Sequence, residues 1–269
     1  MAVKKVKPVQ RSEASAAVST VAKVVDAYGT MSMKPLHVLV FLLPLIVMYE
    51  IGSVWYLADP SRGVVETIGA RSMLSRFFEM FGPLTFYLPG AVLIVVFFIW
   101  HLFTKDKWQI RPSVIGGMLL ESLVWCLPLL VIGTLLMRKP LLVPTVTGAL
   151  HALPWQARLT LSVGAGLYEE LLFRLVLITL IHFLTVDVIK TKAMSGNIIA
   201  ILISAVLFSL YHHNAVPMND PRAFETYLFY AIAGAYFGAI FLVRGFGIAV
   251  GCHALYDAIV LVALANNGK

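Results

Sequence analysis

Long apolar runs dominate this chain, with little of the alternation of a half-buried strand or the one-sided striping of a surface helix. A helix that crosses the hydrocarbon core needs about 20 mostly apolar residues. Seven stretches meet that need: Leu36–Ala58, Leu84–Phe103, Ser113–Met137, Leu159–Leu184, Asn197–His213, Phe224–Val243 and Gly247–Ala265. Polar or helix-breaking residues bound them, such as Asp59-Pro60, Gly82-Pro83, Lys105-Asp106-Lys107, Arg138-Lys139-Pro140 and Pro217. The stretch Leu141–Arg158 is apolar but broken by Pro144, Gly148 and Pro154, as in a re-entrant or interfacial segment or a partial eighth span. The pattern predicts an all-α, polytopic membrane helix bundle of about seven, or eight, transmembrane helices. It divides the chain into a leader (1–35), interfacial or disordered, a first set of spans (36–158) and a C-terminal helical core (159–265). No internal repeat or soluble domain is visible.

Composition agrees with the pattern. Hydrophobic residues make up 59% and charged residues 13%, against about 45–50% and about 25% in a soluble domain. A soluble fold of this length could not bury that much apolar surface. The net charge of +7 comes largely from the leader, through Lys4, Lys5, Lys7, Arg11, Lys23 and Lys34. Such a segment favours an anionic membrane surface over nucleic acid. With Lys105, Lys107, Arg111, Lys190, Lys192 and Arg244 on its side, the basic residues place the N-terminus in the cytoplasm, in a multi-pass protein of the cell (inner) membrane. The leader lacks an apolar core followed by a cleavage site, so no cleavable signal peptide is expected. Cys126 and Cys252 lie in apolar runs and read as packed thiols.

Against this background a few charges stand out. An ionisable group deep in the bilayer costs several kcal/mol on most scales and faces an interior cavity in most cases. The fourth span carries Glu169, Glu170 and Arg174 in LYEELLFR, the fifth ends in LYHHN with His212 and His213, and the seventh carries His253 and Asp257 in GCHALYD. Glu170 and Arg174 are four apart, so they share a helix face and can pair. Glu169 points about 140° from Arg174, at about 100° per residue, and is left as a free carboxylate. A free buried carboxylate is the raw material of a general base working near neutrality. His253 and Asp257, also four apart, converge from the seventh span, and His212 adds an imidazole from a third helix. The plain alternative is a buried ion-pair network that holds the helices together.

Glu169-Glu170-Leu-Leu-Phe-Arg174 matches the EExxxR motif of the CAAX prenyl protease type II family, also called the CPBP or Abi family of intramembrane glutamic-type endopeptidases. Phe208-Ser-Leu-Tyr-His212 resembles its FxxxH motif, and His253-Ala-Leu-Tyr-Asp257 its last motif, His followed four residues on by Asn or Asp. Gly234 and Gly238 fit the family's glycine-bearing helix, although small-residue packing explains them equally. The match covers roughly residues 159–265 and makes this the CPBP-type catalytic core. The resemblance implies an intramembrane endopeptidase that hydrolyses a peptide bond of a membrane-associated protein or peptide, in CAAX-type or bacteriocin-type processing. Glu169 would activate water with His212, while His253 and Asp257 would hold the scissile carbonyl and its oxyanion. Glu170, Arg174 and Phe208 would support them. Many relatives carry Asn where this chain has Asp257, and an ionised Asp cannot donate to an oxyanion. Asp257 would have to be protonated, orient His253, or bind a metal.

Glu169, His212 and His253 would suffice as ligands for a catalytic zinc, but HExxH is absent and the resemblance implies a glutamate mechanism with no required metal. No cofactor is therefore expected, and zinc is not favoured. The implied partners are the lipid bilayer and a membrane-associated substrate, with no nucleic acid; the sequence sets no oligomeric state. A proton-coupled transporter using the same charges as a relay, or a catalytically silent scaffold of the family, are the other readings. Glu50 and Glu121 in the early spans read as snorkelling, as pairing with arginines, or as lining the cavity. His37, His101, His151 and His182 read as span-end histidines, and His213 as lying beyond the catalytic register.

Overall fold

The computed structural model describes residues 25, 27–59, 64–65, 69–79, 88–137, 153–212 and 217–264. Most of the basic leader, the core of the broken apolar stretch, His151 and His213 lie outside them. Residues 27–32 are helical, and eight helices follow them among the described residues: α1 (Pro35–Gly52), α2 (Gly69–Glu79), α3 (Leu88–Thr104), α4 (Pro112–Met137), α5 (Trp155–Val188), α6 (Ala193–Tyr211), α7 (Ala223–Arg244) and α8 (Phe246–Ala258). The helical path of α1 runs on to Leu57 and that of α8 to Leu264. A two-residue antiparallel ladder pairs Ala58 with Val65 and Asp59 with Val64, leaving the architecture all-α.

Among the described residues six helices are long and apolar enough to cross a membrane: Pro35–Leu57, Pro112–Leu136, Trp155–Val188, Ala193–Tyr211, Ala223–Arg244 and Phe246–Ala263. The second expected span appears as α3, apolar but shorter than the rest. Local chemistry explains several boundaries. Pro35 and Pro112 open their helices, where a missing N–H costs nothing. Pro44 and Pro128 sit inside helices, a placement that neighbouring helices make tolerable in membranes. Gly245 turns α7 into α8 at φ +84°, a conformation that favours glycine.

The fourth expected span is the most extended, at 34 residues from Trp155 to Val188, or about 51 Å of helix. It begins and ends four residues outside Leu159–Leu184, because Trp155, Gln156, Ala157 and Arg158 are helical too. Its winding widens to π-helical over Leu171–Ile178, directly after Glu170. Such bulges recur at functional sites.

α8 is the central helix and packs on α5, α4 and α7, while α6 packs chiefly on α7 and α1 on α3 and α5. Small residues permit the closest approaches, as expected where lipid supplies no hydrophobic drive between helices. A Cβ on Gly166 would come within 2.8 Å of Ala254 of α8, and one on Gly234 within 2.9 Å of the Ala205 Cα of α6. Leu120, Val124 and Leu127 of α4 and Leu202 and Val206 of α6 point outward, an apolar surface suited to acyl chains.

Candidate active site

Helix register brings the chemistry together. Only four residues separate Val188 from Ala193, so α5 and α6 form a tight antiparallel hairpin. Glu169 lies 19 residues before Val188 and His212 lies 19 after Ala193, so equal lengths of helix carry them to one level. The α7–α8 hairpin repeats the logic about Gly245. Phe237 and His253 each lie eight residues from it, and their rings stack at 4.5 Å. The narrower spans of the sequence keep the same symmetry, with Glu169 15 residues before Leu184 and His212 15 after Asn197.

Glu169 stands at the centre. Its Oε2 is 3.8 Å from His212 Nε2 and 3.9 Å from His253 Nε2, and it is buried without a hydrogen-bond partner among the described residues. Those separations are longer than direct hydrogen bonds, so neither imidazole is hydrogen-bonded to Oε2. His212 caps the C-terminal end of α6, where its Nδ1 lies 2.8 Å from the Phe208 carbonyl oxygen. A carbonyl only accepts, so Nδ1 donates, and the neutral ring presents Nε2 to Glu169 as an acceptor. The ring stacks on Tyr230 of α7 at 4.0 Å, which fixes its plane.

His253 is held on both nitrogens. Nδ1 is 2.8 Å from Glu170 Oε1, and Nε2 is 3.5 Å from Asp257 Oδ2. Glu170 in turn meets Arg174, with Nε 3.1 Å from Oε2, and both side chains are fully buried. The guanidinium also donates to the Gly234 carbonyl at 3.2 Å and lies over the Phe208 ring at 4.5 Å. The absence of a side chain at Gly234 therefore admits α6 and leaves a backbone oxygen for Arg174. The Phe208 ring also lies 4.7 Å from the His212 ring and 6.1 Å from the His253 ring. All seven candidate residues thus gather in one place, on α5, α6 and α8. Among the described residues no group of three His, Cys, Asp or Glu side chains is arranged to hold a metal ion.

The remaining charges of the spans resolve into other partners. Glu50 accepts from Arg71 of α2 at 3.1 Å and from the Tyr168 hydroxyl at 2.8 Å. Glu121 is paired with Arg244 and accepts from Tyr28 and Trp125. His182 meets Asn197 at 2.7 Å. His37 and His101, expected at span ends, are buried. Sequence reasoning missed Tyr211, whose hydroxyl accepts from the Ala70 N–H at 2.8 Å and also interacts with Glu169. It missed Tyr230 and Phe237 as well. Tyr211 had a signal, being next to His212 in FSLYH, whereas an aromatic on a neighbouring apolar helix has none.

Fold and site together define a polytopic helical membrane protein with a buried glutamate–histidine centre. Residues 151–259 match the family described as "Type II CAAX prenyl endopeptidase Rce1-like". Over that segment the chain is similar to this endopeptidase family, and its helices long and apolar enough to cross a membrane agree with a membrane protein. All seven site residues fall inside the matched segment. No curated protein and no solved structure matches the chain.

Proposed function

We propose that this chain is an intramembrane endopeptidase in which Glu169 and His212 activate a water molecule against a peptide bond of a membrane-associated protein or peptide. The carrying observation is the unpartnered, buried Glu169 Oε2 facing two imidazoles at 3.8 and 3.9 Å. A water held between Glu169 Oε2 and His212 Nε2 would donate one hydrogen to each and turn a lone pair towards the substrate carbonyl carbon. Glu169 takes the proton as the C–O bond forms and returns it to the amine as the C–N bond breaks.

His253 supplies the matching electrophile. Carboxylates face both its nitrogens, and carboxylates accept, so the ring donates and its Nε2–H is available to the oxyanion. Asp257 serves this reading by aiming His253, which removes the need for an ionised carboxylate to donate. Glu170 and Arg174 hold the same ring from the other side. No step calls on a metal or another cofactor. The substrate is of the CAAX or bacteriocin-like kind, and the N-terminus is cytoplasmic in the cell membrane.

Comparing the ends of membrane peptides between wild type and Glu169→Gln tests the reading. Loss of one positioned general base predicts a fall in cleavage of about 10²–10⁴-fold, with the variant still folded in the membrane. His212→Ala is expected to behave alike, and chelators to leave the wild-type rate unchanged. Full cleavage by Glu169→Gln sinks the mechanism, and solute transport that survives it would favour a carrier.

A further inference from the structure

A second cavity, of about 450 Å³, opens at the end of the bundle where α1 and α4 begin and α3 stops. Its walls carry Lys34, Lys105, Lys107 and Arg111, together with His37 and His101. Among the described residues of this lining the one acid, Asp106, is already engaged by Lys34 at 2.5 Å, and that lysine holds its carboxyl below the usual carboxylate range. Three full positive charges are left around the opening.

The two histidines supply an independent observation. His101 is 1% exposed, and neither of its ring nitrogens has a hydrogen-bond partner among the described residues. His37 is 4% exposed; its Nε2 accepts from the Arg111 N–H at 3.3 Å while its Nδ1 has no partner. With Nε2 accepting, Nδ1 carries the proton of the neutral ring and is a buried donor without an acceptor. Such a group is destabilising unless something fills the need. Trp108, packed edge-on against His101 at 4.3 Å, and Phe103 and Ile110 are exposed beside the opening. The site is therefore donor-rich and cationic within, and apolar at its outer edge.

We propose that this basic cavity binds a phosphate group, presented by the headgroup of an anionic phospholipid at the membrane surface. A phosphodiester brings the negative charge and the acceptor oxygens that the lining lacks, and its acyl chains would lie along the exposed apolar edge. Basic pockets between membrane helices suit such headgroups, and the volume is within the usual range for small-molecule sites. The site is separate from the Glu169 centre and stands whatever reaction that centre performs.

Delipidated full-length protein in neutral detergent, mixed with phosphatidylglycerol or phosphatidylcholine and followed by native mass spectrometry, is the test. Wild type is expected to retain phosphatidylglycerol in preference. The double variant Lys107→Gln/Arg111→Gln should lose that preference by about 30-fold, the product of two basic contacts. Both side chains are exposed, so the variant keeps its fold, which its thermal unfolding checks. Lys190→Gln/Lys192→Gln removes two basic residues of the α5–α6 turn and should retain the lipid. Equal retention in the wild type and the cavity variant, or equal loss in both variants, overturns the proposal. Inorganic phosphate is the second arm. If millimolar phosphate binds alone and phosphatidylglycerol does not, the lipid source is overturned.

Discussion

Glu170 and Arg174 are both fully buried. Removing one charge from such a pair costs about 3–5 kcal/mol, because the other remains without compensation. Arg174→Met is therefore expected to lower folded yield and thermal stability in detergent by that order, with His253 losing its anchor and cleavage falling as well. Glu170→Gln combined with Arg174→Met should recover much of the stability and little of the activity. Equal unfolding temperatures for wild type and Arg174→Met would contradict the assignment. This pair was readable in the sequence because a spacing of four puts two residues on one helix face whatever surrounds them. Tyr230 against His212 and Phe237 against His253 were not readable, since stacking depends on which helices become neighbours.

Glycine positions decide how closely the helices approach. A Cβ at Gly234 would lie 2.9 Å from the Ala205 Cα, a backbone atom that cannot step aside. At Gly116 of α4 the same atom would meet nothing within 4 Å. Gly234→Val should destabilise by about 1–3 kcal/mol, as overpacking does. It should also reduce cleavage sharply, because α6 carries Phe208 and His212. Gly116→Ala should leave both unchanged, and similar unfolding temperatures for the two variants would refute the close-packing argument. The spans were visible in the sequence as apolar runs. Most of the membrane-crossing helices end within one or two residues of them, and both ends of α5 and the start of α6 lie about a turn away. The stretch WQAR before Leu159 has mixed polarity, and only its packing as the start of α5 makes it helical.

One end of the whole molecule gathers Lys34 and Asp106, the Arg244–Glu121 pair and the Gly245 turn beside Met33. Asp220 precedes the opposite end of α7, where Arg222 lowers its carboxyl to about 2. Single cysteines at Lys107 and at Asp220 are expected to react with an impermeant maleimide from opposite faces of the membrane. Native Cys126 and Cys252 are buried and should stay silent. Labelling of both positions from one face would overturn this topology. The first half of the chain is tied to the half that carries Glu169 through Glu50, Arg71 and Tyr168, the last next to Glu169 in sequence. Glu50→Gln is expected to weaken that link and lower cleavage without altering the site residues themselves, measured beside the unfolding temperature.

The sequence by itself determined that this is a membrane protein built of apolar helices, and which scarce charges stand out within them. Those properties follow from the cost of placing charge or free backbone in lipid, a cost paid residue by residue. Only the tertiary structure decided that Glu169, His212 and His253 stand at one level, that Asp257 and Glu170 grip opposite sides of one imidazole, and that Glu50 and Glu121 belong to other pairs. Those outcomes depend on hairpin register, helix length and close approach at glycine. They are properties of neighbouring helices, and no single apolar run contains them.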